Sequence, residues 1–180
     1  MIWISIFQIE NSTMKKSITP KELNKYQIKS IRADWWDYSS SGLYFITICT
    51  QQMHHFFGEI EKEKVILNKT GNIAKKNWEL IPKYFPFVSI GPFIIMPNHL
   101  HGIIAIEKNQ KTSNKVSAKF GPQSGNLASI IRGYKSSVTI EARKTNPLFC
   151  WQARFYDRII RDETELQNII QYIYDNPMKG

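Results

Sequence analysis

Cysteine is nearly absent from this 180-residue sequence: Cys49 and Cys150 stand about a hundred positions apart and belong to no CxxC pair. That excludes a disulfide scaffold and a cysteine-built zinc framework, and makes a reducing cytoplasm the expected location. A long apolar run is also missing. The stretch from Met1 to Phe7 is too short to span a bilayer and no basic residue precedes it, so neither membrane anchor nor export signal is expected. Internal repeats are lacking too. Acidic residues are few beside basic ones, 15 Asp and Glu against 24 Lys and Arg, giving a net charge of +9 and a pI near 9.5. Such a balance favours a polyanionic partner, because clustered cations release counterions from phosphates.

What is present suffices for a folded body. Hydrophobic residues make up 42% and aromatics 13%, enough to build one core in a chain of this length. Residues 1–30 show no steady period and read as a poorly ordered N-terminal arm; a single domain is expected over 31–180. Met14-Lys15-Lys16 would make an ordinary start, so the first thirteen residues read as an upstream extension.

Leu43 to Thr50 is β-branched and aromatic and predicts a buried strand. Ile73, Ala74, Trp78 and Leu80 recur at helical spacing before Pro82 and predict a helix over 68–80. Phe85 to Met96 and His99 to Ile106 read as two antiparallel strands joined at Pro97-Asn98. A polar, aperiodic stretch over 108–125 reads as a long loop. Leu127, Ile130, Ile131, Tyr134, Val138 and Ala142 predict a second helix with a basic outer face. Trp151 to Ile160 is a short strand or extended segment. Asp162 to Glu165 then opens a third helix that carries Leu166, Ile169, Ile170 and Ile173 and runs to about Asn176, before Pro177. The order implies an α+β domain, an antiparallel sheet with helices packed on one face.

On a strand, residues i and i+2 share a face, so His99 and His101 project together while Leu100 points to apolar packing. Two neutral imidazoles at one point form part of a divalent-metal site. An unselected HxH is more often a pair of half-buried strand histidines, so the flanks decide. The segment Phe93-Ile94-Ile95-Met96-Pro97-Asn98-His99-Leu100-His101-Gly102-Ile103-Ile104 resembles the HUH motif of REP-associated tyrosine transposases and small IS200-like single-strand transposases. The resemblance extends through Asp37-Tyr38-Ser39, Tyr44 to Thr47, Tyr134-Lys135-Ser136, Trp151-Gln152, Arg158 to Arg161 and Tyr172 to Pro177.

That resemblance implies a ferredoxin-like HUH endonuclease fold, a Mg²⁺ or Mn²⁺ cofactor, and cleavage and rejoining of single-stranded or hairpin DNA through a 5′-phosphotyrosine. It implies Tyr172 as nucleophile and Asn176 as third ligand beside His99 and His101. The residues alone leave both points open. Tyr172 and Tyr174 lie about 200° apart on a helix and the apolar face does not choose between them. Asn176 suits a C-terminal cap before Pro177 as well as a metal; Asp175 sits about 100° away from it. Arg132, Lys135, Arg154, Arg158 and Arg161 are candidate phosphate contacts, and Trp151, Phe155 or Tyr156 could stack on unpaired bases. His54-His55 lacks strand alternation and reads as structural. A homodimer is compatible with the sequence, as is a shared active site. Gly180 falls a turn or more before such relatives end, which would leave the last helix weakly docked. Two other readings compete: a domesticated hairpin-DNA-binding protein without cleavage, and a replication-initiator-like nickase.

Overall fold

The computed structural model describes residues 41–107 and 125–178. The proposed N-terminal arm and nearly all of the polar 108–125 stretch therefore lie outside the described residues. The chain runs β1 (Gly42–Cys49), a 3-10 turn (Gln51–Met53), β2 (Gly58–Glu61), β3 (Lys64–Leu67), α1 (Lys69–Glu79) and a one-turn α2 (Ile81–Tyr84). It continues through β4 (Val88–Ile95), β5 (His99–Ile106), α3 (Leu127–Ala142), β6 (Tyr156–Ile160) and α4 (Glu163–Asp175).

Four strands form one antiparallel sheet in the order β4-β5-β1-β6. With α1 connecting β1 to β4 and α3 connecting β5 to β6, this is the ferredoxin-like arrangement expected for the α+β class. β2 and β3 pair as a separate hairpin that the sequence did not suggest. Its alternating charges, Glu59, Glu61, Lys62, Glu63 and Lys64, mask a strand pattern only four residues long on each side. The strand expected from Phe85 begins at Val88, and Pro92 sits where the β4–β5 register shifts, between Ile90 and Phe93. Such an irregularity on an edge strand is where a residue without an N–H is tolerated.

Side-chain alternation divides the core. Tyr44, Ile46, Ile48, Leu100, Ile104 and Ile106 face α1 and α3, together with Trp78, Tyr134 and Val138. Leu43, Phe45, Ile103, Ala105 and Ile160 face the other way and are covered by Leu166, Ile169 and Ile173 of α4. The expectation of helices on one face thus holds for the two connecting helices, and α4 takes the opposite face. The reason is local: Ile160 and Ile159 point to opposite sides of the edge strand, and the chain leaves β6 on the side of Ile160.

Each long helix starts on a side-chain cap. Asn68 accepts from the Gly71 amide at 3.0 Å and donates to the Phe56 carbonyl at 3.1 Å. Asn126 forms a reciprocal box with Ser129, and Asp162 accepts from the Glu165 amide at 2.8 Å. Asn68→Ala should cost about 1 kcal/mol, the usual worth of such a cap, seen as a lower midpoint in urea with an unchanged slope.

Candidate active site

Strand register builds one polar row across an apolar sheet face. Ile94 pairs with His101, His101 with Thr47, and Thr47 with Tyr156, so four neighbouring strands each place one side chain on the α4 side. One row further, His99 pairs with Cys49. Directly opposed residues in an antiparallel ladder share a face and lie close. The two imidazole centroids are 4.6 Å apart, and His101 stacks on Phe45 at 5.3 Å.

Hydrogen bonds fix how the rings present themselves. His99 Nδ1 donates to the Asn98 side-chain oxygen at 2.6 Å, which leaves its Nε2 lone pair outward. His101 Nδ1 meets Thr47 Oγ1 at 2.8 Å, and His101 Nε2 meets the Tyr172 hydroxyl at 3.2 Å. In the tautomer that gives Nδ1–H to Thr47, Nε2 is the acceptor and the phenol donates to it. That lone pair can serve the phenol or an ion, not both at once.

Burial keeps both rings neutral. His101 is 6% exposed; burial, and then the neighbouring His99, pushes its pKa down to about 3. His99 is lowered by burial as well, partly opposed by a hydrogen bond with the Asn176 side chain. Neutral imidazoles offer lone pairs at pH 7 without a competing proton.

The last helix delivers the other groups. Tyr172 packs edge-on against His101 and Phe45, with ring centroids at 5.2 and 6.1 Å, and is 39% exposed, open to a ligand from solvent. Tyr174, the rival in sequence, is not brought to the histidines; partial burial elsewhere raises its pKa. Asn176 is buried and reaches His99 from the turn after α4. Its backbone is right-handed (φ −57°, ψ −41°), so it does not use the left-handed tolerance that favours Asn as a helix C-cap. Asp175 accepts from Gln171 at 2.7 Å on the exposed side.

Thr47 is the residue that sequence reasoning missed. The one signal was a hydroxyl at a position alternating with Leu43 and Phe45 on an otherwise apolar strand, where Thr also passes as an ordinary strand former. His54 and His55 are exposed beside the 3-10 turn and lie outside the site.

Several expected DNA contacts have other partners. Trp151 is packed among Phe57, Phe149 and Tyr134, with centroids 5.1 to 5.9 Å away, and its indole N–H donates to the Lys135 carbonyl at 3.1 Å. The indole is thus stacked and bonded within the protein, and only the part of it left half-buried could meet a base. The Lys135 ammonium donates to the carbonyls of Gln152 and Arg154 at 2.7 and 2.9 Å, and burial lowers its pKa. It holds the segment before β6 in place. Arg158 is ion-paired with Glu165 across β6 and α4. Arg161 is exposed at the start of α4, its backbone amide bound to Glu165 at 2.8 Å. Arg132 and Arg154 lie together beside α3.

Among the described residues no three His, Cys, Asp or Glu side chains converge. The donor set is two imidazoles and one carboxamide, with the rings oriented by Thr47 and Asn98. That mixture fits a borderline divalent ion such as Mn²⁺, or Mg²⁺ with its remaining positions filled by water or phosphate oxygens.

No protein-family profile matches the chain. An uncharacterized Haemophilus influenzae protein is 42% identical over 158 residues, covering 83% of this chain and 88% of its own length. A second H. influenzae protein, named as a REP-associated tyrosine transposase, is 26% identical over 154 residues, covering 79% of this chain and 74% of its own. The chain is thus similar in sequence to a REP-associated tyrosine transposase. A solved REP-associated tyrosine transposase, bound to a REP hairpin, shares the fold of this chain. Its TM-score is 0.54 at 19% identity, over 84% of this chain and 74% of that one. Among the described residues, no helix of the chain is long and apolar enough to cross a membrane.

Proposed function

We propose that the chain is a metal-dependent single-stranded DNA endonuclease and strand transferase that works through a phosphotyrosine at Tyr172. The observation that carries this is the Tyr172 hydroxyl at 3.2 Å from His101 Nε2, on the face where His99 and Asn176 also meet. Sequence similarity to a REP-associated tyrosine transposase supports the reading, and so does the hairpin DNA bound by the solved structure that shares the fold.

The phenol oxygen attacks the scissile phosphorus. An O–P bond to Tyr172 forms, the bond to the 3′ oxygen breaks, and that oxygen takes a proton from water. The phenol proton leaves to solvent, which reaches the partly exposed hydroxyl. An unperturbed phenol, with a pKa of about 10, is a poor nucleophile at neutral pH and needs help from a nearby cation. A divalent ion held by His99, His101 and Asn176 would supply that positive charge and polarise a non-bridging phosphate oxygen. Phe45 and α4 keep water from one side of the imidazoles, and Thr47 holds His101 with Nε2 toward the phosphate. The bond made and the bond broken are both phosphodiesters, so the step is reversible and rejoining needs no ATP.

Incubating the protein with an end-labelled, hairpin-bearing single strand and Mn²⁺ should leave label attached to protein on a denaturing gel, and EDTA should remove at least nine-tenths of it. Retarded migration on a native gel with no covalent species at any metal concentration would instead establish a hairpin-binding protein that does not cleave.

A further inference from the structure

Beside β6, on the side of the sheet away from the histidines, an open groove of about 450 Å³ runs between α3 and the segment preceding the strand. Its walls are Ala128, Ile131, Ile140 and Phe155, and Arg132 and Arg154 stand along it; among the described residues no carboxylate lines it. Ile140 is 65% exposed although it lies on the helix that closes the main core. Among the described residues neither guanidinium makes an ion pair or a hydrogen bond. An apolar bed with unpaired cations suits a ligand that is flat and apolar on one part and anionic on another.

The backbone beside this groove is built, not incidental. Arg154 holds a left-handed conformation, φ 65°, which a residue with a Cβ keeps only where its surroundings enforce it. Here Lys135 enforces it by gripping the carbonyls of Gln152 and Arg154 itself. The next two residues then alternate across the edge strand. Phe155 turns to the groove, while Tyr156, 58% exposed, turns to the opposite face in register with Thr47, the partner of His101.

We infer that this groove receives one unpaired nucleotide of a DNA strand, its base against Phe155 and its phosphate between Arg132 and Arg154, with Lys135 as the positioning residue. The inference rests on the strand-cleaving reading above and adds to it a route: a single strand crosses the β6 edge, passing Phe155 on one side and Tyr156 on the other before it reaches Tyr172. An acidic peptide would also find the arginines, but it would make no use of the two aromatic rings that straddle the edge strand. Bases stack on such rings whatever their sequence.

The test uses the full chain in EDTA, so that binding is read without chemistry. The probes are a fluorescent ten-residue oligothymidylate and an abasic deoxyribose-phosphate oligomer of the same length. Phe155→Leu, which keeps apolar bulk against the core, should weaken oligothymidylate binding about tenfold and leave the abasic oligomer unaffected. Arg132→Gln with Arg154→Gln should weaken both probes and reduce the slope of log affinity against log salt by about 0.7, one single-strand phosphate. Light-activated crosslinking from a 5-iododeoxyuridine oligomer to the wild-type protein should yield a peptide containing Phe155. Unchanged affinities in all variants, crosslinks confined to other segments, or a polyglutamate peptide that outcompetes the oligothymidylate would each overturn the inference. None of these outcomes bears on adduct formation at Tyr172. Loss of the adduct with groove binding intact would sink the cleavage reading alone.

Discussion

Tyr172→Phe is expected to form no covalent DNA adduct at all while binding DNA as the parent does. The substitution removes one oxygen that meets His101 Nε2 at 3.2 Å and leaves the ring packed against Phe45 and His101. Because the hydroxyl lies at a partly exposed position, stability should move by no more than about 0.5 kcal/mol. Loss of a nucleophile with its site otherwise whole lowers turnover by about 10⁴-fold or more, below detection in a gel assay. Tyr174→Phe is the matched control: that side chain is not directed at the histidines, and its adduct should persist at parental yield. A labelled strand still bound covalently to Tyr172→Phe would show that the attacking group had been misassigned.

The second large effect is expected from a single methyl group. Gly102 follows His101 on β5 and faces the opposite side of the sheet, where a Cβ would lie 2.5 Å from Trp78 Cζ2 and 3.0 Å from Phe93 Cβ. Trp78 is fully buried between α1 and the sheet, edge-on to Tyr134 at 5.2 Å, so its ring has nowhere to retreat. In Gly102→Ala the strand must therefore move toward the α4 side and carry both imidazoles with it. Overpacking of this kind costs about 1–3 kcal/mol, which for a domain of this size corresponds to a melting point lower by roughly 3–10 °C. Mn²⁺ affinity, followed by titration calorimetry, should fall by about tenfold or more, since ligand displacements well under an ångström disturb a metal site. Full Mn²⁺ affinity in a destabilised Gly102→Ala protein would show that the strand yields without moving the histidines.

Where the sequence was legible, a regular period carried the information. Alternation along β5 set His99 and His101 on one face, and the i,i+4 spacing of Tyr172 and Asn176 placed them one turn apart at the end of α4. Both relations are local, and both survive in the structure. Relations across strands left no comparable mark. The pairing of Thr47 with His101 depends on a register spanning 54 residues, and nothing in the β1 segment announces which strand lies beside it. The same is true of Lys135 and Trp151. Their charge and aromaticity suggested contact with DNA but not the contacts they make within the protein, a lysine on two backbone carbonyls and an indole surrounded by Phe57, Phe149 and Tyr134. The side of the sheet taken by α4 was also out of reach, because its apolar stripe of Leu166, Ile169 and Ile173 would suit either face.

The ladder between β1 and β5 works as a ruler. Thr47, His101, Cys49 and His99 are paired neighbours in an unbroken register of eight residues, so interstrand spacing, a property of every sheet, sets the distance between the imidazoles and their support. No loop length enters that distance. Tyr172 is held differently: it stands on a helix that follows an edge strand and shares no ladder hydrogen bond with the sheet. Its approach to the histidines is thus a single degree of freedom, the docking of α4 on the small cluster of Leu43, Phe45, Ile103, Ala105 and Ile160. Insertions in the hairpin or in the surface connections leave the two imidazoles in place. Substitutions under α4 retune the reach of the phenol without altering the donors it meets.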